Sequence, residues 1–173
     1  KDLKKIPPIV GYDQDFKAVR IAIANVEKAG LRSLVHIEKR ELKDCEAVKS
    51  YGSSPVGLIV LNPPYGERLG DVEELKPLYR EIGDTFKKKF KGWEGYVFTG
   101  NPDLAKGVGL KPSRKFVLFN GSIECRLLKF ELWEGTQRVS AKAIFVGKFP
   151  KIESVFTTLA IKKSIVCCCA SRK

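Results

Sequence analysis

The chain contains no methionine and a single histidine, His36, among its 173 residues. One histidine inside an apparent strand, Leu34 to Ile37, gives no partner set for a metal. The five cysteines do not repair that lack: Cys45 and Cys125 stand alone, and Cys167-Cys168-Cys169 are consecutive, which is not a zinc-ligand spacing. They read as reduced core or tail residues of an intracellular protein, and no metal is expected. Apolar runs of membrane-spanning length are missing, so no membrane partner is expected. No apolar stretch of signal-peptide type follows Lys1-Asp2-Leu3-Lys4-Lys5. A first residue Lys1 and the lack of methionine suggest a piece of something longer.

The remaining composition is that of an ordinary globular domain, with 43% hydrophobic and 30% charged residues. Its length allows one domain with a real core. The formal net charge of +12 favours a polyanionic partner through attraction to phosphates and counterion release. A merely basic surface gives the same number. The run Lys87-Lys88-Lys89 with Lys91 is read first as a solvated helix end.

Hydrophobic periodicity predicts alternating strands and helices. Ile6 to Tyr12 reads as a strand with its prolines at the start, where proline is tolerated. Phe16, Val19, Ile23 and Val26 recur at helical spacing, giving an amphipathic helix over 15–29 that stops at Gly30. Leu34 to Ile37 reads as a strand and 43–49 as a short helix. Gly57 to Leu61 is a fully buried strand. Leu75, Leu78, Tyr79, Ile82, Phe86 and Phe90 line one face of a long helix. Gly95 to Thr99 is a further buried strand, and Pro102 to Lys106 a short helix after Asn101. Lys115 to Phe119 and Ile123 to Leu132 flank Asn120-Gly121, a strong hairpin signal. The apolar runs Ala143 to Val146 and Ile161 to Cys169 have no evident place. Strand–helix alternation implies parallel βαβ units, with the hairpin adding an antiparallel strand.

The most informative run follows the buried strand: Asn62-Pro63-Pro64-Tyr65-Gly66-Glu67-Arg68-Leu69-Gly70. It stands at the carboxyl end of a strand, where open α/β sheets keep their ligands. Pro63 and Pro64 fix the backbone and remove their N–H donors. Carbonyls and the Asn62 amide are left to face a substrate, and Tyr65 offers a flat ring. The Asn62 side-chain oxygen and the Pro63 carbonyl can each accept one hydrogen of an –NH2 group, concentrating the lone pair on its nitrogen.

That run resembles the Asn-Pro-Pro-Tyr signature of S-adenosylmethionine-dependent methyltransferases acting on planar nitrogen. Two further segments extend the match: Gly11-Tyr12-Asp13-Gln14-Asp15 with its helix and Asn25, and Leu78-Tyr79-Arg80-Glu81-Ile82-Gly83 with Gly92-Trp93. Together they resemble the THUMP-containing large-subunit ribosomal RNA guanine-N2 methyltransferases, whose relatives were long labelled N6-adenine-specific DNA methylases. The resemblance covers roughly residues 9 to 132.

It implies a Rossmann-like class I methyltransferase sheet, mostly parallel with an antiparallel closing hairpin, and S-adenosyl-L-methionine as cofactor. By the same resemblance Asp13 accepts from the ribose hydroxyls, although Asp is also a favoured helix N-cap; Asp15 is better placed for capping. Gln14 stands where the family often has an apolar residue against the adenine. Glu41 follows the third strand of the family pattern, where an acid meets the adenine amino group, with Asp44 and a plain solvated charge as alternatives. Asn62, Pro63, Pro64 and Tyr65 hold the target base. Glu67 and Arg68 pair with each other or shape the loop, and a phosphate contact by Arg68 is a weaker option.

The family's first motif, a Gly-rich turn that holds the methionine end of the cofactor, lies before the Asp13 segment, and none stands there in this sequence. Residues 1–133 are therefore expected to be part of a catalytic domain, without its first strand and Gly-rich turn, and 134–173 a tail of unknown role. The first-motif and THUMP segments are expected upstream in a complete protein. This chain alone is expected to bind cofactor weakly and to have little or no activity. The alternatives are N6-adenine methylation of DNA and a non-catalytic basic RNA-binding fragment. Bacterial cytoplasm and an organelle both fit.

Overall fold

The computed structural model describes residues 9–47, 57–66 and 71–133, and the backbone of 165–169. Elements follow the hydrophobic pattern. Strand β1 (Ile9–Asp13) leads to helix α1 (Phe16–Lys28), then β2 (Val35–Lys39). Next come β3 (Gly57–Leu61), α2 (Asp71–Lys89) and β4 (Glu94–Thr99). A short helix α3 (Pro102–Lys106) precedes the hairpin β5 (Arg114–Asn120) and β6 (Ile123–Glu131), and β7 is Ile165–Cys169.

One sheet holds all seven strands in the order β2-β1-β7-β3-β4-β6-β5. Strands β1 to β5 point one way, while β6 and β7 run against them. The expected α/β architecture with a closing antiparallel hairpin is what the chain adopts. The strand Ile165–Cys169, which periodicity left unplaced, is central: it pairs antiparallel with β1 on one side and β3 on the other. Residues 1–8, 48–56 and 134–164 lie outside the described residues, and with them the start of the Ile6 strand, the end of the 43–49 helix and the Ala143 run.

Asp15 caps α1, its carboxylate accepting from the Lys17 amide at 2.9 Å. Val19 and Ala22 form the buried stripe of α1, whereas Phe16, expected on that stripe, is 60% exposed. It is the first residue of the helix. In place of a 43–49 helix the described residues contain one 3-10 turn, Leu42–Asp44. Helix α2 carries Asp71, Glu73 and Glu74 in its first turn and Lys87, Lys88 and Lys89 in its last, matching the helix dipole at both ends. Its lysine end feeds β4 at the amino edge of the sheet, the edge opposite Asn62.

Tyr79, Ile82 and Phe86 of α2 pack with Phe90, Trp93, Ile59, Leu61 and Phe130 in the main core. The approach is close enough to require glycine: a Cβ on Gly95 would lie 2.7 Å from the Phe86 ring, and one on Gly57 2.6 Å from the Trp93 ring. A second cluster, Tyr96, Phe98, Cys125 and Leu127, lies on the other face, with Tyr65 and Leu118 packed against it.

Candidate active site at the carboxyl edge of the sheet

Strands β1, β2, β3 and β4 all end at one edge, at Asp13, Lys39, Leu61 and Thr99. The sequence-predicted site residues fall there in two groups, one on each side of β7.

The first group follows β3. Asn62, Pro63, Pro64 and Tyr65 form an extended loop held from below by hydrogen bonds to two of its carbonyls. The Tyr79 hydroxyl donates to the Pro64 carbonyl at 3.2 Å, and the Asn101 side-chain amide donates to the Tyr65 carbonyl at 3.1 Å. Neither bond uses the Pro63 carbonyl. Tyr79 is fully buried and lies 2.8 Å from the Thr99 hydroxyl. Thr99 in turn accepts from the Asn101 amide at 3.1 Å. Asn101 also caps α3, its side-chain oxygen accepting from the Asp103 and Leu104 amides, each at 3.1 Å.

Sequence reasoning did not assign Tyr79, Thr99 and Asn101 to the site. Asn101 carried a signal, since Asn before a proline at the first helical position is an N-cap pattern. Tyr79 carried none, because a tyrosine on an apolar helix face looks like core until its hydroxyl finds a partner.

The Tyr65 hydroxyl donates to the Asn62 side-chain oxygen at 2.7 Å. Its ring meets Phe98 edge-on, with centroids 6.2 Å apart. Burial raises the Tyr65 phenol well above its ordinary pKa, with the Cys125 thiol adding to the effect and a bond from Asn120 opposing it. The phenol is therefore protonated and a donor at neutral pH. The same burial pushes Tyr79 up to about 12, against the lowering effect of its bond with Thr99. Tyr65 thus folds down onto Asn62, rather than standing clear as a free stacking surface. Glu67 and Arg68 lie outside the described residues.

The second group follows β1 and β2. Asp13 is buried and accepts from the Asp15 amide at 2.8 Å. Its backbone carbonyl accepts from the Arg40 amide at 3.0 Å, which brings the end of β2 beside it. The Arg40 guanidinium lies over the Tyr12 ring, 4.7 Å from its centroid. Gln14 and Glu41 are exposed next to this junction. Glu41 pairs with Lys43 at 2.7 Å, and that bond holds its carboxyl below the usual range. Asp44, the competitor for the same role, is exposed in the 3-10 turn.

The donor set of this group suits a nucleoside. A buried carboxylate is acceptor-only and fits paired hydroxyls, and the exposed Gln14 and Glu41 offer polar contacts outside it. Among the described residues no group of three or more His, Cys, Asp or Glu is arranged to hold a metal ion, and no helix is long and apolar enough to cross a membrane.

Ribosomal RNA large subunit methyltransferase K/L of Syntrophotalea carbinolica is 48% identical over 132 residues, which is 76% of this chain and 18% of that protein. The chain thus matches under a fifth of the length of this curated relative. A possible methylase from Clostridium difficile 630 superposes with a TM-score of 0.66 at 32% identity, over 79% of this chain and 34% of that one. SMU.472, complexed with SAH, does so with a TM-score of 0.61 at 33% identity, over 74% of this chain and 32% of that one. The fold is Rossmann-like, as in these neighbours. A family model described as UPF0020, RMKL-like, methyltransferase domain, matches residues 1–129, and the chain belongs to that family.

Proposed function

We propose that this member of the RMKL-like methyltransferase family carries the base-binding half and part of the cofactor-binding half of an S-adenosylmethionine-dependent enzyme. Its substrate is the exocyclic N2 of a guanine in large-subunit ribosomal RNA. The single observation that supports this best is the hydroxyl donor seated 2.7 Å from the Asn62 side-chain oxygen. A donor hydrogen already occupies the place that an amine hydrogen of the base would take.

On this reading the base displaces the Tyr65 hydroxyl, so one hydrogen bond replaces another and little energy is lost in the exchange. Asn62 and the Pro63 carbonyl then accept the two amine hydrogens and orient the nitrogen lone pair. The freed Tyr65 ring stacks on the base and offsets part of the cost of unstacking it. The backbone at Pro64 and Tyr65 stays fixed, held by Tyr79 and Asn101. Asp13 takes the ribose hydroxyls, with Gln14 and Glu41 toward the adenine. Bound cofactor supplies an electrophilic methyl group, so these residues act by positioning rather than by strong-base catalysis.

The reading assigns residues 1–133 to a partial catalytic domain and gives 134–173 the role of supplying β7. A Gly-rich turn and a THUMP domain belong to the complete protein, outside this chain.

Calorimetric titration with S-adenosylmethionine, in a protein with the upstream segment restored and comparing wild type with Asp13→Ala, tests the cofactor half. Binding that Asp13→Ala leaves unchanged would sink the Asp13 assignment. For the base half, methyl transfer is assayed in a protein with the upstream segment restored, on ribosomal RNA against duplex DNA. Transfer to the RNA, abolished by Asn62→Ala, is expected; transfer to duplex DNA alone would overturn the substrate.

A further inference from the structure

The β5–β6 hairpin reaches past the sheet beside the Asn62 loop. Strand β4 ends at Thr99, opposite Arg126 of β6. Beyond that level the hairpin continues through the pairs Leu118–Cys125, Phe119–Glu124 and Asn120–Ile123. At about 3.4 Å per residue its tip stands roughly 10 Å above the carboxyl edge. One face of the projection packs beside the Asn62 loop: a Cβ on Gly100 would lie 3.0 Å from the Tyr65 ring, 3.3 Å from Ile123 and 3.5 Å from the Cys125 sulfur.

The projection carries one exposed apolar side chain on each face, with the exposed carboxylate Glu124 opposite Phe119. Phe119 on one face is 67% exposed and Ile123 on the other 39%; below the projection, Val117 continues the Phe119 face at 59% exposure and Phe116 the Ile123 face at 41%. A hairpin that only packs on its own protein needs one apolar face. An exposed phenylalanine at the end of a thin blade suits insertion between flat partners. Lower on the same strand β5 carries exposed Arg114 and Lys115, which suit the phosphates of an RNA that extends down the blade and also oppose strand-to-strand pairing of β5 with a second copy.

We propose that this hairpin tip is a wedge for RNA, with Phe119 entering the stack next to the base that goes to Asn62. The inference rests on the proposed function, which requires a base to leave its stack. Extrusion leaves a gap, and an apolar side chain that fills it holds the neighbouring bases apart.

The test uses the whole chain without cofactor, so a failure of methyl transfer does not touch it. The probe is a short RNA hairpin with 2-aminopurine beside a mismatched guanine. Binding is read by anisotropy and unstacking by 2-aminopurine emission. Wild type should bind and raise the emission. Phe119→Ala should abolish the rise and weaken binding by about tenfold, the scale of one lost base–aromatic stack. Phe119→Trp should keep both, and Ile21→Ala, at an exposed apolar position on α1, should behave as wild type. Circular dichroism checks that each variant is folded. No RNA binding by wild type, no rise in emission, or an equal rise with Phe119→Ala would each overturn the wedge. So would a dimer in sedimentation that Phe119→Ala dissolves while RNA affinity stays unchanged.

Discussion

Replacing Tyr79 by phenylalanine removes one oxygen from the middle of a relay. The Asn101 amide donates to Thr99 at 3.1 Å, Thr99 and Tyr79 share a hydrogen at 2.8 Å, and Tyr79 donates to the Pro64 carbonyl at 3.2 Å. A phenol has one hydrogen, so if it goes to Pro64 the Thr99 hydrogen goes to Tyr79. The ring is retained in Tyr79→Phe, so no cavity opens. What is lost is the Pro64 bond, together with the acceptor of the Thr99 hydroxyl, which can re-aim only at the Asn101 carbonyl, 3.4 Å away. One bond lost and one weakened cost about 1–2 kcal/mol. In a chain of this size that is a fall in Tm of roughly 4 °C. The Tyr79 pKa of about 12 keeps the phenol protonated, so the loss should be the same across the neutral range. Thermal and urea unfolding of Tyr79→Phe, Thr99→Val and the double variant form the assay. A coupling of about 1 kcal/mol between the two sites is expected. Single effects that simply add, or an unchanged Tm in Tyr79→Phe, would refute the relay.

Gly83→Ala should destabilise by about 2–3 kcal/mol in urea unfolding through overpacking, since its Cβ would lie 1.8 Å from the Val108 carbonyl oxygen. Burial pushes the Cys45 thiol from 9.0 to about 11. The folded state therefore holds this proton more tightly than the unfolded state. Its contribution is full below 9.0 and falls away as pH rises toward about 11; urea midpoints should show that slope in wild type and a shallower one in Cys45→Ala.

Much of this was legible because it is local. The strand Gly57–Leu61 and the helix Pro102–Lys106 follow from run length and a proline after Asn101, and the hairpin from its glycine turn, although Asn120 is the last paired residue and the turn itself is Gly121-Ser122. The Asn62 loop was legible because its residues are chemically unusual together. What stayed hidden depends on distant partners. The Tyr79 hydroxyl finds Pro64 and Thr99, fifteen and twenty residues away in sequence. Periodicity marked Phe16 as apolar-face, but whether a first-turn residue reaches the core depends on the angle between helix and sheet. The apolar run Ile161 to Cys169 could not be placed because the strands that Ile165–Cys169 pairs with, β1 and β3, are far away in sequence.

That last strand decides how the two halves of the site are spaced. Tyr12 and Leu61 are both opposite Ile165, so Asp13 and Asn62 leave the same edge one residue beyond a shared level. Two strand spacings, about 9–10 Å, separate them. In the sheet order β7 lies between β1 and β3, so it joins the unit of β1 and β2 to the unit of β3 to β6. A proline at Val166 would remove a ladder hydrogen bond from a strand paired on both sides, where proline is not tolerated. Hydrogen exchange should then find amides of β1 and β2 exchanging well before those of β3 and β4, whereas the wild-type sheet protects all four together. If Val166→Pro leaves β1 as protected as β4, the strand does not join the halves, and the spacing of Asp13 and Asn62 must be set by other contacts.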